Sequence, residues 1–400
     1  MESPVPVRHV TAAERRARLV RRHATAPAHR VADAEAATRA VVALHATEPA
    51  TVHLSVAART EGVAVADIDR ALYDHRSLVK QLAMRRTLFV FPRDLLPAAW
   101  GSASSRVAAT ERRRIGSNVV AAGLAQDADH WLAVRRSEVL ELLGSAGPLS
   151  APEVRKRLPA LDVEVATSPD SAWGGPIPVA PRVLGWLGAR GEIVRGVNGG
   201  HWRLSRPRWE PMETWLGSLP AALPEADGYA ELVRRWLARF GPGTETDLVW
   251  WLGSTRTAVR RALAHLGAVP VSLEGGTTGW LLPDDVPVAE PERPSAALLP
   301  ALDPTTMGWK QRDFYLHPDD VPFLVDPGGN AGTTAWWDGR VVGCWVQDDG
   351  GRVRVVLRHD PGPQARRGLE SEAERLTDWL DGTVVGNIYK SRLMRHGPPS

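Results

Sequence analysis

Three successive sets of helix signals, each closed by a hairpin signal, predict a mainly α fold with β wings: three tandem winged-helix modules plus a C-terminal β-rich unit. The turns ahead of helices in the second and third sets, Gly147-Pro148 and Gly241-Pro242-Gly243, are alike and point to an internal repeat. A chain of 400 residues is too long for one small core and fits several modules of ordinary size. The expected division is a first module at 1–100, a helical connector at 101–134, a second module at 135–215, a third at 216–290 and the C-terminal unit at 291–400.

In the first module, residues 10–26 read as a basic helix, with Arg15, Arg16, Arg18, Arg21 and Arg22 around a thin apolar stripe of Leu19 and Val20. A second helix is expected over 34–44, where Ala37, Val41, Val42 and Leu44 recur on helical turns. Pro49 disfavours helical geometry at Glu48, so this helix should stop near Thr47. Thr47 would cap a third helix, with Pro49 in its first turn and Gly62 at its end. His45 would then sit where the carbonyl end of one helix meets the amide end of another, a place that favours positive charge. A short helix at 66–73 follows, and residues 78–91, rich in Val, Phe and Leu, alternate as a strand pair.

Residues 102–126, with Arg106, Arg112, Arg113 and Arg114, read as the connecting helix. The second module has helices at 135–144, from Ser150 and at 180–189; residues 192–197 then pair with 201–205 across Asn198-Gly199-Gly200, a strong hairpin signal. In the third, residues 229–240 are helical, Thr244 to Asp247 caps the next helix, and 254–266 is the candidate recognition helix. Residues 269–273 and 279–282 flank Glu274-Gly275-Gly276 as a wing. The Pro-rich stretch 283–294 reads as a linker or extended connector, 335–345 and 353–357 as strands around Asp338-Gly339, and 370–380 as a closing helix.

The net charge is only +3, so basic residues must cluster before the chain binds a polyanion. Nearly all positive charge is arginine, with lysine only at 80, 156, 310 and 390. That bias reflects either a GC-rich genome or the bidentate phosphate contact for which arginine is suited. The lone Cys344 excludes an internal disulfide. Residues 1–22 carry no apolar core of a signal peptide, and no run approaches a membrane span. A cytoplasmic, nucleoid-associated monomer is expected. Twelve histidines lack metal-ligand spacing, Gly328-Gly329-Asn330-Ala331-Gly332 lacks the Lys-Ser/Thr of a phosphate cradle, and no Gly-x-Ser-x-Gly elbow exists. Neither metal nor cofactor is expected.

The run Leu44-His45-Ala46-Thr47-Glu48-Pro49, followed by Leu54 and Ala57-Ala58-Arg59, resembles the signature of winged-helix DNA glycosylases of the AlkZ/YcaQ type. So do Leu78-Val79, Met84-Arg85-Arg86-Thr87-Leu88, Leu299-Pro300-Ala301-Leu302-Asp303, Gly308-Trp309-Lys310-Gln311-Arg312, and Trp337-Asp338-Gly339-Arg340-Val341-Val342-Gly343 with Trp345. In that family the active-site pair is Gln-x-Gln or Gln-x-Asp; here it reads His45-Ala46-Thr47. The resemblance implies a monofunctional glycosylase that hydrolyses the base–deoxyribose bond of alkylated purines or of bulky or crosslinked adducts in double-stranded, damaged DNA. The alternative is a non-catalytic damage or architectural binder, or a transcriptional regulator with spaced half-sites.

Such hydrolysis builds positive charge on the sugar and needs a polar group to hold water and negative potential nearby. His45 is the candidate base or water-positioner, Thr47 a positioner, and Glu48 the carboxylate to balance a cationic sugar. The plainer readings are a helix-end histidine, an N-cap threonine and first-turn electrostatics. Arg59, Arg85 and Arg86 of the first module, Arg256, Arg260 and Arg261 on the candidate recognition helix, and Lys310 with Arg312 are the candidate DNA contacts. Asp303, Lys310 and Arg312 form either an ion-pair cluster or a DNA-facing set. The tryptophans at 250, 251, 336, 337 and 345 read as core.

Overall fold

The computed structural model describes residues 5–166 and 175–396, and shows a mainly helical chain with several small antiparallel sheets. Helix α1 (Ala12–Arg22) starts where the Thr11 hydroxyl accepts the Glu14 amide. It is less solvated than its arginines suggest. Arg15 lies 3.6 Å over the Phe314 ring, and Arg18 is ion-paired to Glu14 and Asp285. The Arg18–Asp285 pair, at 2.7 Å, also pins the Pro-rich stretch against α1, so that stretch is a packed connector.

Helix α2 (Ala34–Ala40) is shorter than its pattern predicts. Val42 takes a left-handed backbone (φ 67°), and the chain leaves the helix to form β1 (Leu44–His45). β1 pairs antiparallel with β3 (Thr87–Pro92), which pairs in turn with β2 (Leu78–Ala83). Leu44 and His45 thus satisfy their backbone in a sheet ladder made with residues more than forty positions away, which local periodicity does not register. Helix α3 (Pro49–Ala57) follows directly.

The connecting helix α4 (Ser105–Ala121) and α5 (Ala128–Ala146) lead to the Ser150–Glu153 capping box and α6 (Val179–Ala189). These elements share a separate apolar core. The hairpin after them differs from expectation. β4 (Ile193–Asn198) pairs with β5 (Pro207–Pro211), not with 201–205. The Asn198 side chain instead holds an eight-residue loop through the Gly200, His201 and Leu204 carbonyls and the Arg206 amide. Trp202 in that loop lies 5.1 Å from the His53 ring and 5.8 Å from Trp379, so the tip is docked on α3 and the C-terminal helix.

The third set comprises α7 (Glu225–Phe240), a short strand at Gly243–Thr244, α8 (Glu245–Leu252) with a Thr244–Asp247 capping box, α9 (Arg256–His265), and the hairpin β6 (Val269–Ser272) and β7 (Thr278–Leu281). The C-terminal unit is a four-stranded antiparallel sheet of β8 (Ala296–Leu299), β9 (Thr334–Trp337), β10 (Arg340–Gln347) and β11 (Val353–Leu357), backed by α10 (Pro363–Leu380). Trp236 and Phe240 of α7 stack at 5.4 Å, and Phe240 meets Trp309 edge-on at 5.0 Å. One continuous apolar cluster accordingly runs through the first unit, α7 to α9 and the C-terminal sheet. No helix among the described residues is long and apolar enough to cross a membrane.

Candidate active site

The loop from β1 to α3 carries the three candidate side chains. Because His45 is opposite Phe89 in the ladder, its ring rests on that phenyl (centroids 4.9 Å apart) and is 5 % exposed. Neither ring nitrogen has a hydrogen-bond partner among the described residues. Burial, reinforced by the Arg85 guanidinium and only partly opposed by Asp303, lowers its pKa to about 3. His45 is therefore a neutral imidazole at physiological pH. This corrects the expectation that it sits between two helix termini in a place that favours positive charge. Thr47 is exposed and does not cap α3. The N-cap is Glu48, without a side-chain cap bond. Glu48 is 9 % exposed, burial raises its pKa, and its nearest donor is the Ile388 amide at 3.5 Å.

Directly behind the loop is an ion pair with no exposed surface. Arg59 donates to both Asp303 carboxylate oxygens at 2.7 and 2.8 Å, and to the Thr305 hydroxyl and Ser55 carbonyl. The Ser55 hydroxyl adds a 2.7 Å bond to Asp303. Arg59, expected to contact DNA, is thus withdrawn from that role: a fully buried guanidinium with four satisfied acceptors has nothing to offer a phosphate. Its task is to bolt α3 to the C-terminal unit. Of the Asp303, Lys310 and Arg312 set, Asp303 belongs to this pair. Lys310 is exposed and has no ion pair among the described residues, and Arg312 turns elsewhere.

Arg312 and Arg85 both approach the ring of Trp250, at 5.6 and 4.0 Å. Arg312 donates to the Trp309 and Gly329 carbonyls, and Arg85 has a buried Nε without a partner. Neither has a carboxylate within ion-pair distance among the described residues. Burial and mutual repulsion bring Arg85 down to about 10, still charged at neutral pH. Gly253 is left-handed (φ +61), and a Cβ there would lie 2.8 Å from the Arg85 backbone nitrogen, so the turn between α8 and α9 abuts Arg85. Trp250 and Tyr389 pack on the same small apolar cluster, Leu302, Met307 and Ala331. Trp250 packs on the core as its sequence predicts and in addition supports two cations, a role that no local pattern marks; nor does any mark Tyr389.

The other candidates divide by what neutralises them. Arg86 is half exposed and donates to Glu111 at 3.2 Å. Arg260 is ion-paired to Glu245 at 2.6 Å, with Arg256 at 3.7 Å from the same carboxylate. Arg261 is exposed and free of ion pairs among the described residues. No group of three His, Cys, Asp or Glu among the described residues is placed to hold a metal ion.

The sequence matches the family model for AlkZ-like DNA glycosylases over residues 38–379. A search of curated proteins finds no match. Among solved structures, the fold is similar to that of the Streptomyces sahachiroi DNA glycosylase AlkZ, with a TM-score of 0.74 at 18% identity over 94% of this chain and 98% of that one.

Proposed function

The chain belongs to the AlkZ-like DNA glycosylase family, and from that premise we propose that it is a monofunctional glycosylase acting on alkylated purines, or on bulky or crosslinked adducts, in duplex DNA. The observation that carries this reading is the pair of guanidiniums, Arg85 and Arg312, gathered on Trp250 with no carboxylate among the described residues to neutralise them, next to the His45–Glu48 loop. Two uncompensated cations beside a polar loop suit a strand phosphate and hold the nucleotide attached to it in register. Arg261 and Lys310 extend the basic surface; Arg86, Arg256 and Arg260 would join it by exchanging carboxylate partners for phosphates.

An N7-alkylated purine already bears positive charge, so it leaves as a neutral base and needs little acid catalysis. The demand falls on C1′, where an oxocarbenium-like cation develops. A neutral His45 does not repel that cation; its Nδ1 is sealed from solvent, so Nε2, with no hydrogen-bond partner among the described residues, is the nitrogen that accepts from the attacking water. Thr47, with no intramolecular partner among the described residues, is available to position the same water. Glu48, ionised, places negative charge near the sugar.

We read the three helix-and-hairpin sets as tandem winged helices with the boundaries given above, acting as a monomer in the cytoplasm at the nucleoid. The experiment incubates the protein with alkylated duplex, cleaves abasic sites with alkali and compares wild type with His45→Ala. Strand breaks that vanish in the variant support the glycosylase. The 5 % exposure of His45 favours a second reading, a non-catalytic damage binder; tight DNA binding without breaks across several adducts would select it.

A further inference from the structure

A cavity of about 190 Å³ opens beside the His45–Glu48 loop, between the first turns of α3 and the irregular segment that follows α10. Its walls are mostly apolar: Ala50 and Leu54 of α3, Trp345 and Val346 of β10, then Val385 and Met394. Most of its polar lining is already engaged. The Thr51 hydroxyl donates to the Ala301 carbonyl, Thr333 to the Trp345 carbonyl, and the Trp345 indole to the Leu299 carbonyl. The Gln347 amide is bonded to Gly351, Thr383 and Val385. Glu48 is the acidic group that is not so engaged. The residue is 9 % exposed; its carboxylate has no cation within ion-pair distance among the described residues and receives one long contact from the Ile388 amide. Lys390 reaches the lining from the exposed rim and makes no ion pair among the described residues.

An apolar cavity of roughly 150 Å³ takes benzene, so this one has the size for a single flat heterocycle. A partly buried carboxylate without a counter-charge is held at a cost, which its raised pKa reports, and the complement that relieves it is an N–H donor or a positive charge on an otherwise apolar group. The cavity also lies where such a group would arrive. Glu48 follows Thr47 directly, and Tyr389, next to Lys390, packs on the same cluster as Trp250.

The geometry points to this cavity as the receptacle for the extruded base, a purine made cationic by N-alkylation, with Glu48 as its counter-charge. This rests on the glycosylase reading. The segment at 384–387 forms the outer wall and limits how bulky the alkyl group is.

The test uses free bases, so that binding is read apart from excision. 7,9-Dimethylguaninium carries a fixed charge and 9-methylguanine is its neutral counterpart; both are titrated calorimetrically into the full chain. Gly386→Trp fills the cavity from its wall, where a Cβ meets nothing within 4 Å; Val385→Phe replaces it if melting shows that the tryptophan variant is unfolded. The cation is expected to bind at least tenfold tighter than the neutral base. Glu48→Gln should erase that preference, and the filled variant should weaken both ligands tenfold or more. No saturable binding, equal binding of the two by wild type, or undiminished binding by the filled variant overturns the proposal. Excision of alkylated duplex on the same preparations separates the two ideas. Base binding without wild-type excision sinks the glycosylase and leaves the base site, whereas full excision by the filled variant sinks the base site and leaves the glycosylase.

Discussion

The neutrality of His45 has a measurable consequence for stability. Its folded pKa is about 3 against an ordinary value of 6.5. The unfolded chain therefore takes up the proton first, so stability from this residue is complete above about pH 6.5 and falls as the pH drops towards about 3. Each pH unit in that window is worth about 1.4 kcal/mol, or about 5 kcal/mol over the whole range and about 2 kcal/mol between pH 6.5 and 5. At about 2 cal/mol/K of unfolding entropy per residue, that 2 kcal/mol corresponds to a Tm shift of about 2–3 °C for a chain of this length. The perturbation is His45→Gln, which keeps a neutral hydrogen-bonding side chain and removes the titration. His23 and His53 are also pushed down by burial, but they titrate alike in both proteins and cancel in the comparison. Tm is measured by calorimetry at pH 7.5 and 5.0; wild type should lose about 2–3 °C more than His45→Gln. Equal losses would mean that His45 is hydrated and protonates normally, and the argument for a neutral water-positioner would fall. Excision should follow the same logic, with His45→Gln within about tenfold of wild type and His45→Ala down about a hundredfold or more.

Arg85→Ala and Arg312→Ala should each lower the log–log salt slope of duplex binding by about 0.9, read by fluorescence anisotropy; unchanged slopes would remove them from the interface. Arg261→Ala should flatten that slope more than Arg260→Ala, because Glu245 already neutralises Arg260. Asp303→Asn leaves Arg59 buried and unpaired and should cost about 3–5 kcal/mol in denaturant melts, while a paired apolar replacement of both residues should recover most of that loss. Lys80, lowered to about 8 by burial, is charged in both states below that pH, so its burial cost is fully present there and is relieved as the pH rises to about 10.5. Lys80→Met should therefore stabilise the chain by up to about 3 kcal/mol at pH 7, with the gain vanishing near pH 10.5.

Where local chemistry decides, the residues were sufficient. Ser150 with Glu153 and Thr244 with Asp247 are capping pairs closed within three positions, and each starts a helix where its spacing requires. The Glu274-Gly275-Gly276 turn and the alternation at 78–91 likewise specify their hairpins without reference to the rest of the chain. The family was legible for a related reason: its motifs are ordered along the sequence and need no coordinates to be read. The site was not legible, because its properties arise between segments far apart. Leu44 and His45 leave a helical pattern for a strand because β3 offers a ladder, and the burial that follows neutralises the imidazole. Arg59 looks like any other arginine until Asp303, 244 positions later, is folded against it. Arg85, Trp250 and Arg312 gain their meaning only when three parts of the chain converge on one ring. A side chain's charge state and partners are set by solvent exclusion and through-space distance, and both exist only after tertiary packing.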